Sequence, residues 1–165
     1  MSEINNNSFY SESSVETVFE KISSSDGDLK NFYKNYLVEE YTDGVFDERM
    51  YYYDIARMAE FINKMYLNKQ TANFPDLFKN IEEILTNSDQ FVQELIVVGL
   101  FEDMQNTSEI NYHKAFNEWL QPESKKSWNA VIRFWEGKNG EKNSAKWEKK
   151  QKKNQQKNQK KNQKK

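Results

Sequence analysis

Only five Gly and two Pro punctuate this 165-residue chain. Sandwiches and barrels need a turn about every 8–12 residues, and those turns draw on Gly and Pro. A chain so poorly supplied with turn formers is read as helices joined by short loops. The apolar residues agree, because they recur at spacings of three and four and no alternating pattern reaches even moderate length.

Val15, Val18, Phe19 and Ile22 follow Ser13 and Ser14, and Ser23-Ser24-Ser25 closes that first helix. Asp26 or Asp28 can cap a second, carrying Leu29, Phe32, Tyr33, Tyr36 and Leu37. Thr42-Asp43-Gly44 is a turn signal. A long third helix from about residue 48 to 68 shows Tyr51, Ile55, Met58, Ala59, Ile62 and Met65 on one face. Phe74-Pro75-Asp76 opens a fourth, since Pro is tolerated in a first turn. Asn87-Ser88-Asp89 turns and caps a fifth that runs to about residue 106 and is apolar on most sides, the mark of a central helix. Residues 109–120, with Tyr112, Phe116, Trp119 and Leu120, predict a sixth, and Pro122 begins a seventh with Trp128, Val131, Ile132 and Trp135. The expectation is an all-α, compact bundle of about six to eight helices arranged in hairpins over 74–106 and 109–137, with a short HEAT-like stack as the alternative. Ile81, Leu95, Ile96, Leu100 and Trp135 are expected in its core.

Charge divides the chain. From Glu141 onward there are 11 Lys and 2 Glu, a net of +9. The preceding residues hold 13 Lys and Arg against 24 Asp and Glu, a net of −11. Three segments follow: a polar, flexible N-terminus over 1–12, an all-α domain over 13–140, and a low-complexity Lys/Gln/Asn tail over 141–165. The tail buries nothing after Trp147, so disorder is expected of it; it is read as a functionally idle extension, with weak nucleic-acid association as the other reading.

Several chemistries are excluded or left without support. With no Cys there is no disulfide, thiolate nucleophile or sulfur-ligated zinc. His113 is the single histidine and lacks a recognisable catalytic partner, so it is read as a surface or capping residue. Glu39-Glu40, Asp47-Glu48, Glu82-Glu83 and Glu102-Asp103 are read as solvated helix faces. No Glu-x-x-His, calcium-loop, phosphate-loop or nucleophile-elbow motif occurs. No enzyme activity, cofactor or metal is expected. The start has neither a basic n-region nor an apolar h-region, and the longest apolar run, Leu95 to Phe101, falls far short of the roughly 20 residues that span a bilayer. A cytoplasmic protein without membrane association is the expectation.

What remains is surface. Three consecutive tyrosines, Tyr51-Tyr52-Tyr53, cannot all face a core when each residue turns the helix by about 100°. Tyr52 or Tyr53 is therefore expected outside, as an interface anchor. Glu102 and Asp103 are the candidate acidic contacts.

The stretches Phe74-Pro-Asp-Leu-Phe, Ile81-Glu-Glu-Ile-Leu, Val92 through Met104, Trp119-Leu-Gln-Pro-Glu-Ser-Lys-Lys-Ser-Trp128 and Phe134-Trp135-Glu136 together resemble an uncharacterised bacterial all-helical domain family. The likeness covers roughly residues 50 to 137. A Leu-Gly-Pro-type turn, a Lys-rich first turn and a closing Trp in that family go with small proteins that look like immunity partners of polymorphic toxins; here Gln121 stands where the turn has Gly. These are packing and turn motifs, and they carry no catalytic residues. The resemblance implies a protein-binding module that neutralises a cognate toxin by occlusion, its acidic body meeting a basic partner. The alternative is an α-helical scaffold or adaptor whose basic tail associates with nucleic acid.

Overall fold

The structure, a computed structural model, describes residues 9–41, 48–137 and 140–163, with side chains for all of these except 140–147. The turn signal at Thr42-Asp43-Gly44, Asp47 and residues 1–8 of the expected N-terminal segment lie outside the described residues. The chain divides into two units, Met1–Val131 and Ile132–Lys165.

The first unit begins with Tyr10, whose backbone donates to the Asn87 carbonyl (2.7 Å) and accepts from the Asp89 amide (2.8 Å). A 3-10 turn, Glu12–Ser14, leads into α1 (Val15–Ser23). The next helix, α2 (Gly27–Tyr41), starts where Asp26 Oδ1 accepts from the amides of Asp28 and Leu29, and this carboxylate satisfies two otherwise unpaired donors. Asn73 also donates to Asp26, and these hydrogen bonds outweigh burial and hold its carboxyl below the ordinary value. The third helix, α3 (Tyr51–Leu67), ends in a Schellman motif: Gln70 N donates to Met65 O and Lys69 N to Tyr66 O, with Lys69 at φ 59°. Pro75 lies in the first turn of α4 (Phe74–Thr86).

The expected fifth helix is continuous over 90–105 but not uniform. It runs as α5 (Gln90–Glu94), then a π-helix π1 (Leu95–Phe101), then α6 (Glu102–Gln105). Asp89 caps its start by accepting from Val92 N. The last helix to begin in this unit is α7 (Pro122–Glu136). Its N-terminus rests on a residue of α4: the Glu82 carboxylate accepts from the amides of Glu123 (2.7 Å) and Ser124 (2.8 Å). A carboxylate there meets both the unpaired N–H groups and the positive end of the helix dipole.

Apolar faces converge as their spacing requires. α1 packs on α2 and α4, α2 on α3, α3 on π1 and α6, and α4 on α5. The α1–α4 contact closes the bundle, whereas a HEAT-like stack would join only sequence-adjacent hairpins. Val18, Phe19, Ile22, Ile55, Ile62, Phe78, Ile81, Leu95, Ile96 and Leu100 are all fully buried. Counting 90–105 as one, seven helices and no strand are found among the described residues, in agreement with the sequence.

Three expectations are corrected. Residues 109–120 form a succession of turns rather than a helix, so the second hairpin is absent. The cause is local: Asn111 Oδ1 accepts from His113 N and the Asn117 side chain donates to His113 O, so side chains compete for backbone groups a helix would pair. Phe116, at φ 64°, is nonetheless buried between Phe74, Phe78, Tyr66 and Trp128. The aromatic spacing reported burial correctly and misreported the backbone. Second, Trp135 is not core but 42% exposed. Spacing assigns a residue to a face without saying how far along the helix that face is covered. Third, the C-terminal segment is not disordered: it forms α8 (Gly140–Gln163) in the second unit. Beyond Gly140 it contains no Gly, Pro or β-branched residue, and Lys, Gln and Glu are good helix formers. Intrinsic propensity builds a helix there without a buried face.

Candidate functional site

The four residues singled out in the sequence come from two helices that lie side by side in the same direction. Ile55 of α3 meets Gly99 of π1, and farther along Asn63 Nδ2 donates to the Met104 carbonyl (3.1 Å). Gly99 sets the separation. A Cβ there would stand 2.7 Å from Ile55 Cγ2, and 3.5 Å from Tyr52 Cδ1 and Leu95 Cδ1. Only a residue without a Cβ permits this approach of the two backbones.

The outer sides of the two helices thus form one face. Tyr52 and Tyr53 are 44% and 43% exposed, both outside rather than one of the two. On the neighbouring helix Val98 is 48% exposed. Glu94, Val98 and Glu102 recur every four residues, so they share a side of that helix. Partial burial, reinforced by the Glu94 charge, raises the Tyr52 hydroxyl above its ordinary pKa, which places Glu94 beside it. Tyr53 lies under the Arg57 guanidinium (5.8 Å to the ring centre), and Arg57 pairs with Glu60 at 3.1 Å. At the far end Asp103 is half-buried; desolvation first, then the charges of Glu102 and Glu60, push it up to about 6. Asp103 also lines a groove of about 360 Å³ with Asn63, Thr107 and Glu109. The face is therefore an aromatic and aliphatic strip bordered by carboxylates. Val98 and Glu94 were missed because the run from Phe91 to Met104 reads as apolar all round, which hides the one side that opens to water.

A second constellation holds this face in place, and no motif announces it. Asp54, one residue beyond Tyr53 on α3, is buried. Its carboxylate accepts from Tyr36 Oη (2.5 Å), Tyr41 Oη (2.7 and 2.8 Å) and Arg49 Nε (3.0 Å). Arg49 continues to Glu16 and to Tyr33 Oη (3.2 Å), and its guanidinium lies over the rings of Tyr41, Phe19 and Tyr51. Tyr41 Oη accepts from the Met50 amide, the residue that leads into α3. Burial would depress Arg49, but its bonds to Glu16, Tyr33 and Asp54 prevail and raise its pKa. Burial raises Tyr36 strongly, and its bond to Asp54 adds to this. Every oxygen of Asp54 faces a donor, and the tyrosines keep their protons. The cluster ties α1, α2 and the entry to α3 together; it offers no free base. Among the described residues no group of three His, Asp or Glu side chains is placed to hold a metal ion, and no helix is long and apolar enough to cross a membrane.

A protein-family model described as a domain of unknown function (DUF7674) matches residues 19–136, well over half of the chain, so the chain belongs to that family. The match spans the rest of α1 through α7 and takes in the α3–π1 face and the Asp54 cluster; α8 lies beyond it. No curated protein and no solved structure matches.

Proposed function

We propose that this member of the DUF7674 family is a protein-binding module of the immunity type, which neutralises a cognate basic toxin by covering it with the α3–π1 face. The observation that carries the reading is the exposure of Tyr52, Tyr53 and Val98 on two helices in contact, with Glu94 beside Tyr52 and Glu102 and Asp103 farther along the second helix. Tyrosines supply large contact area at low entropic cost, and an apolar strip rimmed by charge has the anatomy of an interface. The acidic body, net −11 before Glu141, would steer a basic partner toward it and accelerate association. Occlusion requires no catalytic group of its own, and the residues described here serve as anchor, rim and support.

The test is rescue of growth. The chain is co-expressed with the product of the reading frame immediately upstream of its gene, expected to encode a basic, nuclease-like toxin. Rescue by the wild type, its loss in Tyr52→Ala with Val98→Lys, and its retention in His113→Ala are the expected results. A face variant that stays folded and still rescues fully would refute the assignment of this surface. Rescue abolished by His113→Ala in a folded protein would refute occlusion as the mechanism.

A further inference from the structure

The helix α8 has a property that its composition alone conceals. At 100° per residue, Lys149, Lys150, Lys153, Lys157, Lys160 and Lys161 fall within an arc of about 120°. All six are exposed. The opposite side carries Gln151, Gln155, Gln159 and Asn162. Lys152 alone among the lysines of 149–161 departs from the stripe. A low-complexity run thus becomes, once helical, a band of six ammonium groups about 18 Å long on one side of the helix.

We infer that the six-lysine stripe of α8 is a binding surface for the phosphate backbone of a nucleic-acid duplex. Three observations select this partner among polyanions. The band is dense and held on one side of a helix, and a duplex offers a matching rigid array, one charge per roughly 1.7 Å of axis. No aromatic residue follows Trp147, so there is no platform on which the bases of a single strand could stack. Over 149–163 the face opposite the lysines carries amides rather than Leu, Phe or Trp, so that stretch has no apolar side to lay into a lipid surface. The spacing also gives the helix a use for its partner. Lys149, Lys153, Lys157 and Lys161 repel one another at intervals of four, and phosphates along the stripe relieve that repulsion. Contacts confined to phosphates position a protein without reading sequence, so the binding is indifferent to base order. This inference uses residues other than those of the α3–π1 face and stands whether or not that face binds a toxin.

Fluorescence anisotropy of the full chain with a short labelled DNA duplex of arbitrary sequence tests it. Six lysine–phosphate contacts predict that log K falls against log salt with a slope of about −5. Replacing the six lysines by Gln, which keeps helix propensity, should abolish binding. A second variant keeps the composition of residues 149–163 but distributes the lysines evenly around the helix; it should bind at least about tenfold more weakly than wild type. Equal binding by that variant would overturn the stripe, because charge alone would then suffice. No binding by the wild type would overturn it, and so would tighter binding to a single strand of equal length or to phosphatidylserine vesicles.

Discussion

Gly99 is where α3 packs against π1, and Gly99→Ala isolates the contact. Alanine is favoured over glycine in a helix by about 1 kcal/mol, so an unobstructed site would gain stability. Here the new methyl would stand 2.7 Å from Ile55 Cγ2, against about 3.5–4.0 Å for two carbons in comfortable contact. Leu95 Cδ1 and Tyr52 Cδ1, at 3.5 Å, do not obstruct it. Ile55 cannot swing aside, because Cγ2 sits on a β-branched carbon whose rotamer a helix fixes. The backbones of α3 and π1 must part by several tenths of an ångström, and overpacking of this kind costs about 1–3 kcal/mol. Set against the propensity gain, the expected net loss is ~1 kcal/mol. Ile55→Ala removes the obstructing methyl at its own cost of about 2–5 kcal/mol. In that background Gly99→Ala should stabilise by ~1 kcal/mol, giving a coupling of ~2 kcal/mol between the two sites. Urea unfolding followed through the buried Trp128 measures all four corners of the cycle. Gly99→Ala stabilising the wild type, or a coupling below about 0.5 kcal/mol, would refute the claim that this glycine sets the helix separation.

Two further predictions concern the groups around that face. Asp54→Ala should cost about 3–5 kcal/mol in denaturant unfolding, because it strands Arg49 and two tyrosine hydroxyls that now share one buried carboxylate; a loss under about 1 kcal/mol would make the cluster incidental. Asp103, pushed up to about 6, binds its proton more tightly folded than unfolded, so its favourable contribution is complete below about pH 4 and is lost as pH rises through about 6. Asp103→Asn should therefore match the wild type near pH 4 and exceed its stability at pH 7, by ~1 kcal/mol once solvent screening is allowed for. A gap that is flat or shrinks from pH 4 to 7 would contradict the raised value.

The fold was legible because its causes are local and periodic. Asp26, Asp89 and Pro75 mark helix starts through groups that belong to the helices themselves, and the stripe Ile55, Met58, Ala59, Ile62 lies in the core where its spacing puts it. What escaped depends on competition or on partners distant in sequence. Over 109–120 the aromatic spacing fits a helix, and two asparagines draw the backbone into turns instead. The π-helix at Leu95–Phe101 leaves the apolar pattern unbroken, so nothing in the residue types distinguishes it from an α-helix.

The face itself was half visible for a related reason. One of Tyr52 and Tyr53 could be placed outside because three adjacent tyrosines exceed what one helix side can bury, and both are exposed. Joining them to Glu102 and Asp103 needed the packing of α3 on π1, which rests on a missing side chain at Gly99, and missing side chains leave no pattern. Asp54 was concealed differently. A carboxylate next to Tyr53 and three residues before Arg57 reads as part of a solvated, charged helix side, and the sequence holds many such. Its role follows only when Tyr36 from α2 and Arg49 from outside α3 arrive at the same two oxygens. The surface that would meet a partner is written in α3 and 90–105, whereas the rigidity that would make it a good anchor comes from α1 and α2. On the proposed reading, a substitution far from the face, such as Tyr36→Phe, would weaken recognition without touching a contact, by freeing the turn from which Tyr52 and Tyr53 project.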